Sequence, residues 1–227
     1  MVLLNRKAAP QPSFSENIFN GYPGISFDGI DDFLSISDTV LGTNNFTVFA
    51  VARGSATLVT VDPYSGLFGQ RFLLGAESNG SNFGSCVSLG SNGVGVFDYQ
   101  STSFFPFEAF YAHAIDTTCP IVVKYASKSI SMYFCGTLVA GGGTGGVPSP
   151  DIVAPTMIGM AEAGGPFEGD VAEILIYDRA LTDTERATVE SYLQSRYDCL
   201  PVPTPTPSPT PGPLRHHHRH LLFHRRH

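Results

Sequence analysis

Tryptophan is absent from the 227 residues, histidine and cysteine are scarce, and charged residues make up only 15% of the chain. Each shortage excludes something. Without Trp the strongest stacking surface for a sugar ring is missing. Six of the seven histidines crowd into residues 215–227, so His113 is the only one before them; no Cys–His nucleophile pair is credible there, and the G-x-S-x-G turn of serine hydrolases is absent. All 20 acidic residues but only nine of the 13 basic ones precede Pro201. Such an acidic body is ill suited to neutralising phosphates, so no nucleic acid is expected on it. No apolar run approaches the length that spans a bilayer. The opening MVLL (residues 1–4) is too short for the core of a signal peptide, and neither a transmembrane segment nor a signal peptide is expected within this chain.

What the sequence does contain is short apolar stretches separated by clusters of Gly, Asn, Ser and Pro. They predict strands near 24–27, 32–37, 45–53, 56–60, 66–74, 83–89, 93–98, 109–115, 120–125, 129–135, 154–160 and 168–177, a density that favours a two-sheet antiparallel sandwich. Residues 171–177 (VAEILIY) are apolar, β-branched and too short for a helix, and predict a central strand with Glu173 its one charge. One helix is expected after Thr182. The T-x-x-E spacing of Thr182 and Glu185 lets a hydroxyl and a carboxylate each satisfy an orphan N–H of the first turn. Val189, Tyr192, Leu193 and Arg196 recur at helical spacing and are expected to face the sheet, with Glu190, Gln194 and Ser195 facing water. The class is therefore all-β with one short C-terminal helix.

Four segments are expected. Residues 1–20 are polar, Pro-bearing and without periodicity, as in a flexible arm or an edge segment. Residues 21–200 form the sandwich. Residues 201–213 (PVPTPTPSPTPGP) form a semi-rigid polyproline II stalk of roughly 40 Å, with Thr and Ser open to O-glycosylation. Residues 214–227 are rich in His and Arg, and read either as a metal-binding or cationic tail or as an end without specific metal function.

A hairpin turning at residues 126–129 sets Cys119 opposite Cys135, near enough for a disulfide that would close a loop of about 16 residues and stabilise by roughly 3 kcal/mol. Two buried free thiols are the alternative. Cys86 and Cys199 are what remains; a bridge between them would staple the helix end to the sheet. N-x-[ST] sequons stand at Asn45 and Asn79, which carry glycans where the host glycosylates asparagine.

Several stretches have family-like wording. Gly169, Asp170, Val171, Ala172 and Glu173 lead to Tyr177, Asp178 and Arg179, then Leu181, Thr182, Glu185 and Arg186, and finally Tyr192 and Leu193. Upstream stand FDGIDDFLSI (27–36) and NNFTVFAVAR (44–53). Over about residues 20–198 this resembles the LamG-like domains of the concanavalin A-like lectin/glucanase superfamily, although Val51 occupies a position where many members carry Trp. The resemblance implies a jelly-roll sandwich and identifies a fold better than a function.

Glycan hydrolysis needs two carboxylates about 5–9.5 Å apart. The clustered acids of the glucanase strand are missing: Glu173, Leu175 and Tyr177 alternate where two or three acids would stand, and Glu162 and Glu168 lie in a Gly-rich loop. No enzyme activity is expected. Asp28, Asp31 and Asp32 offer hard oxygens for Ca2+, which the resemblance implies, but F-D-G-x-D-D reads more simply as a turn in which Gly29 takes a positive φ and the carboxylates accept local N–H bonds. Asp170 carries the same ambiguity. Carbohydrate binding, also implied by the resemblance, needs an aromatic platform; the densest aromatic region is 99–111, of which Tyr99, Phe104 and Phe105 are the candidates, while Phe-rich strands more often serve a core. The expected role is a non-catalytic, extracellular or cell-surface carbohydrate-binding or adhesion module whose partner is a glycan or surface protein. The alternative is a self-assembling subunit of a surface layer or extracellular filament, with residues 1–20 lent to a neighbour.

Overall fold

The computed structural model describes residues 11–36, 43–58, 69–76, 83–99, 107–112, 119–141, 151–162 and 164–199. In chain order the elements are β1 (Ser13–Phe19), β2 (Tyr22–Asp28), β3 (Leu34–Ser35), β4 (Phe46–Gly54), β5 (Phe72–Gly75), β6 (Phe83–Gly90) and β7 (Gly93–Tyr99). They continue with β8 (Phe107–Ala112), β9 (Ile121–Ala126), β10 (Ser129–Phe134), β11 (Thr137–Gly141), β12 (Ile152–Val153), β13 (Met157–Ile158), β14 (Glu168–Tyr177) and α1 (Asp183–Tyr197). One sheet runs β1-β2-β14-β4-β9-β10-β11 and the other β3-β13-β5-β6-β7-β8, with β12 beside β6. Only the β12–β6 pairing is parallel among the strand pairs described. The result is the expected all-β sandwich with one C-terminal helix.

Strand β4 holds the centre of the first sheet, and every residue in it but Arg53 is buried. Burial on both faces follows from what lies on each. Inward, Phe46 stacks on Tyr125 of β9 with ring centroids 4.6 Å apart. Outward, the Thr47 hydroxyl donates to the Arg179 carbonyl and accepts from the Leu181 amide, both at 3.0 Å, so the connection from β14 to α1 lies across the sheet. The helix occupies that outer face: its Arg186 guanidinium sits 3.8 Å from the centre of the Tyr133 ring, and its Tyr197 packs edge-on against Phe19.

The capping box forms as expected, with Thr182 as N-cap and Glu185 reaching back to the cap amide. Of the expected inward stripe, Leu193 is buried and Val189 packs against the core, but Tyr192 and Arg196 do not turn inward. Arg186, Glu190, Leu193 and Tyr197 are the buried residues of α1, whereas Tyr192 is 48% exposed and Arg196 also faces water. The buried stripe contains an ion pair between Arg186 and Glu190, and Glu190 is thereby turned inward rather than to water as expected.

The Cys119–Cys135 bridge is present, with Cα atoms 5.1 Å apart. The Cys86–Cys199 pairing is corrected: both are buried free thiols. Cys86 sits opposite Phe97 inside the second sheet, while Cys199 follows the helix on the outer face of the first. The edge segment proves to be a strand from Ser13, exposed along most of its length. No strand occurs over 56–58, β11 was not expected, and residues 59–68 and 200–227, including the stalk and tail, lie outside the described residues.

Candidate functional site

The three aspartates of the FDGIDD turn do converge, with carboxylate oxygens within 4.8 Å of one another. Their geometry is that of a turn: Gly29 takes φ +74°, the Ile30 amide donates to Asp28 at 2.8 Å, and the Asp28 amide donates to Asp32 at 3.1 Å. Hard oxygens of this kind fit Ca2+ in type, but two of the three carboxylates are already committed to backbone N–H groups. Asp170, the other ambiguous acid, is in an ion pair with Arg53 at 2.8 Å and accepts from Ser26 at 2.6 Å.

Tyr99 ends β7, and Phe104 and Phe105 lie outside the described residues. Asn45 is exposed just ahead of β4, its side-chain oxygen accepting from the Ser127 amide at 2.9 Å; Asn79 lies outside the described residues.

One buried acid has the poise of a general base. Asp98 on β7 is 1% exposed, and burial, with the charge of Glu108 adding to it, pushes its carboxyl up to about 7. The Tyr125 hydroxyl donates to it at 2.7 Å and Ser85 donates to that hydroxyl at 3.3 Å. These bonds cross from one sheet to the other inside the sandwich, where no substrate reaches, so the group belongs to the core.

Sequence reasoning missed a different cluster on the outer surface. Arg196 stands near the end of α1 with Glu173 of β14 at 3.4 Å, and its Nη1 donates to the Tyr192 hydroxyl at 3.0 Å. The guanidinium lies 5.3 Å from the Tyr22 ring centre, 6.0 Å from that of Tyr192 and 5.7 Å from that of Tyr197. Tyr22 comes from the β1–β2 hairpin, which is tied down by Asn20: its amide donates to the Tyr197 carbonyl at 2.8 Å. Tyr197 in turn donates to Glu173 at 2.8 Å and packs edge-on to Tyr22 at 5.4 Å. Burial, followed by the bond to Glu173, pushes the Tyr197 hydroxyl up to about 12, so it remains a donor. The i, i+4 spacing of Tyr192 and Arg196 was the available signal, assigned to the wrong face. A cavity of about 220 Å³ between the two sheets is lined by Ile25, Phe27, Leu34, Ile158, Val171 and Ile174, with Glu173 also in its lining.

No family model and no curated protein matches the chain. Solved structures do. The binding domain of botulinum neurotoxin serotype G aligns with a TM-score of 0.55 and 13% identity over 83% of this chain and 48% of that one. The binding domain of Paraclostridial Mosquitocidal Protein 1 aligns with a TM-score of 0.54 and 13% identity over 84% and 47%. The chain thus spans about half the length of these toxin domains. Domain 4 of AbnA, a GH43 extracellular arabinanase from Geobacillus stearothermophilus solved in complex with arabinotriose, aligns with a TM-score of 0.52 and 16% identity, over 79% of this chain and 81% of that one. At these identities the likeness is one of fold, and the chain is similar in fold to the β-sandwich binding domains of larger proteins.

Proposed function

We propose that this chain is a non-catalytic carbohydrate-binding or adhesion module of the LamG-like type, acting outside the cell or at its surface. The observation that carries the reading is the outer cluster of Tyr22, Tyr192, Arg196 and Glu173, where exposed rings meet a donor and an acceptor suited to sugar hydroxyls. The arabinotriose complex of the AbnA domain supports the reading by analogy of fold. The buried disulfide suits an oxidising compartment. A glycan array with the full chain tests it: saturable binding supports the module, and a flat array removes it. Tyr99→Ala and Phe104→Ala belong in the same experiment, because that region is the other proposed platform.

A self-assembling subunit is the second reading, favoured by β1, an edge strand carrying Phe14 at 67% exposure. Since β1 is part of the sheet, the probe is Phe14→Glu rather than removal of residues 1–20. Light scattering that detects concentration-dependent oligomers, lost in that variant, would favour assembly.

A further inference from the structure

We propose that the face formed by Tyr22, Tyr192, Arg196 and Glu173 binds a neutral saccharide, the sugar's C–H face resting on the tyrosine rings and its hydroxyls bonded by the Arg–Glu pair. This rests on the carbohydrate-binding reading and adds the site and the ligand class to it.

Accessibility comes first. Among the described residues the large exposed apolar side chains are Phe14, Tyr22, Ile30, Leu138 and Tyr192, and two of these five, at 37% and 48% exposure, surround one guanidinium. A tyrosine left in water beside a half-exposed arginine offers a rigid ring at low entropic cost, since only two side-chain torsions need to be fixed on binding.

The face is also organised before any ligand arrives. Its members come from β2, β14 and α1, which are far apart in sequence. Tyr197 joins them from below: its hydroxyl donates to Glu173 and its ring packs edge-on to Tyr22. Arg196 is oriented on one side by Glu173 and on the other by the Tyr192 hydroxyl. Groups already held in place lose less freedom on binding, which favours affinity from a small contact.

Charge selects the ligand class. Glu173 already compensates Arg196, and Asp198, exposed at the end of α1, adds a further negative charge close by in sequence. The body as a whole is acidic, with all 20 acidic residues before Pro201. A sulfated or sialylated glycan would bring its anion against Glu173 and gain little from an arginine that is already paired. A neutral sugar meets no such opposition: Arg donates to its hydroxyls, Glu accepts from them, and the rings cover its apolar face.

The test is isothermal titration of the full chain with neutral arabino-, xylo- and gluco-oligosaccharides, against sialylated and sulfated ones, with circular dichroism confirming that each variant is folded. A neutral oligosaccharide should bind, and Tyr192→Ala and Tyr22→Ala should each weaken it about tenfold. Wild type should remain within about twofold in 0.5 M NaCl, because a neutral ligand leaves little charge to screen. Binding to anionic glycans alone would overturn the inference and leave the module reading intact. Neutral binding unchanged in both folded alanine variants would overturn the site. No binding to any saccharide would overturn both.

Discussion

The Tyr197 hydroxyl donates to Glu173 at 2.8 Å, and that bond fastens the last turn of α1 to the middle of β14. Tyr197 is 2% exposed, its ring wedged against Phe19 and Tyr22, while the Arg196 guanidinium approaches the same carboxylate at 3.4 Å. Tyr197→Phe keeps the packing and removes one charge-assisted bond, so urea denaturation should detect a loss of about 1.5–3 kcal/mol. Tyr197→Ala removes the ring as well and should cost about 3–5 kcal/mol. Equal costs for the two would mean that the hydroxyl contributes nothing.

The buried face of α1 yields a second prediction. Arg186 and Glu190 form an ion pair beneath the helix, with side-chain exposures of 10% and 3%, and Arg186 also stacks on Tyr133 at 3.8 Å. Burial raises the Glu190 carboxyl, and the charge of Arg186 opposes that rise. Arg186→Met leaves the carboxylate uncompensated and should cost about 3–5 kcal/mol, whereas Arg186→Met with Glu190→Leu should recover most of that. A double variant as unstable as the single one would sink the argument. Chemical denaturation in a double-mutant cycle reads both.

Why α1 was legible and its orientation was not follows from these residues. Thr182 and Glu185 advertise the helix start through a local pattern that needs no partner. The inward face depends on tertiary contacts: Tyr133 on β10 supplies a ring for Arg186, and β14 supplies Glu173 for Tyr197 and Arg196. Period counting sees only apolar side chains and therefore turned the helix so that Tyr192 faced the sheet. The same limit hid the tyrosine face, whose members meet only when β2, β14 and α1 come together. Local hairpin geometry was readable for Cys119 and Cys135, because β9 and β10 are consecutive. Cys86 and Cys199 had no such geometry, and elimination paired residues separated by a whole sheet.

Thiol counting checks that correction. Under denaturing, non-reducing conditions the chain should react with two equivalents of an alkylating reagent at Cys86 and Cys199, and peptide mapping should recover Cys119 linked to Cys135. In the folded protein both free thiols should react slowly, since both are buried and burial pushes the Cys86 thiol up. Replacing the bridged pair with serine should cost roughly 3 kcal/mol, in keeping with the sequence separation of 16.

The FDGIDD turn is expected to hold its shape without metal. Asp28 and Asp32 already accept backbone N–H bonds, so EDTA or added Ca2+ should move Tm by less than about 1 °C. Gly29→Ala should lower it clearly, because Gly29 has φ +74° and a Cβ there would lie 2.8 Å from the Cβ of Glu168. A Tm that climbs with Ca2+ concentration and loses that climb in Asp31→Asn would establish a cation site.

Asp98 makes the core a titrating element, and its sign can be worked out. Its folded carboxyl stands near 7, against about 3.9 in an unfolded chain, so between those values the native state holds a proton that the unfolded state has lost. Stability from this group is therefore complete below about pH 4, declines as pH rises to about 7 and is flat beyond, a loss on the order of 3–4 kcal/mol. Glu185 works the other way: Arg179, with help from Thr182, depresses it to about 2, so its contribution is present at neutral pH and is lost on acidification. Together the two groups put maximal stability near pH 4–5. Among the described residues the groups facing Asp98 are Tyr125 from β9, Ser85 from β6 and Glu108 from β8, and none of these supplies a compensating positive charge. Asp98→Asn resembles the protonated acid in shape and still accepts from Tyr125. It should match wild type at pH 4 and exceed it at pH 8, removing the decline between them. Parallel pH–stability curves for the two proteins would show that the buried carboxyl does not titrate in this range.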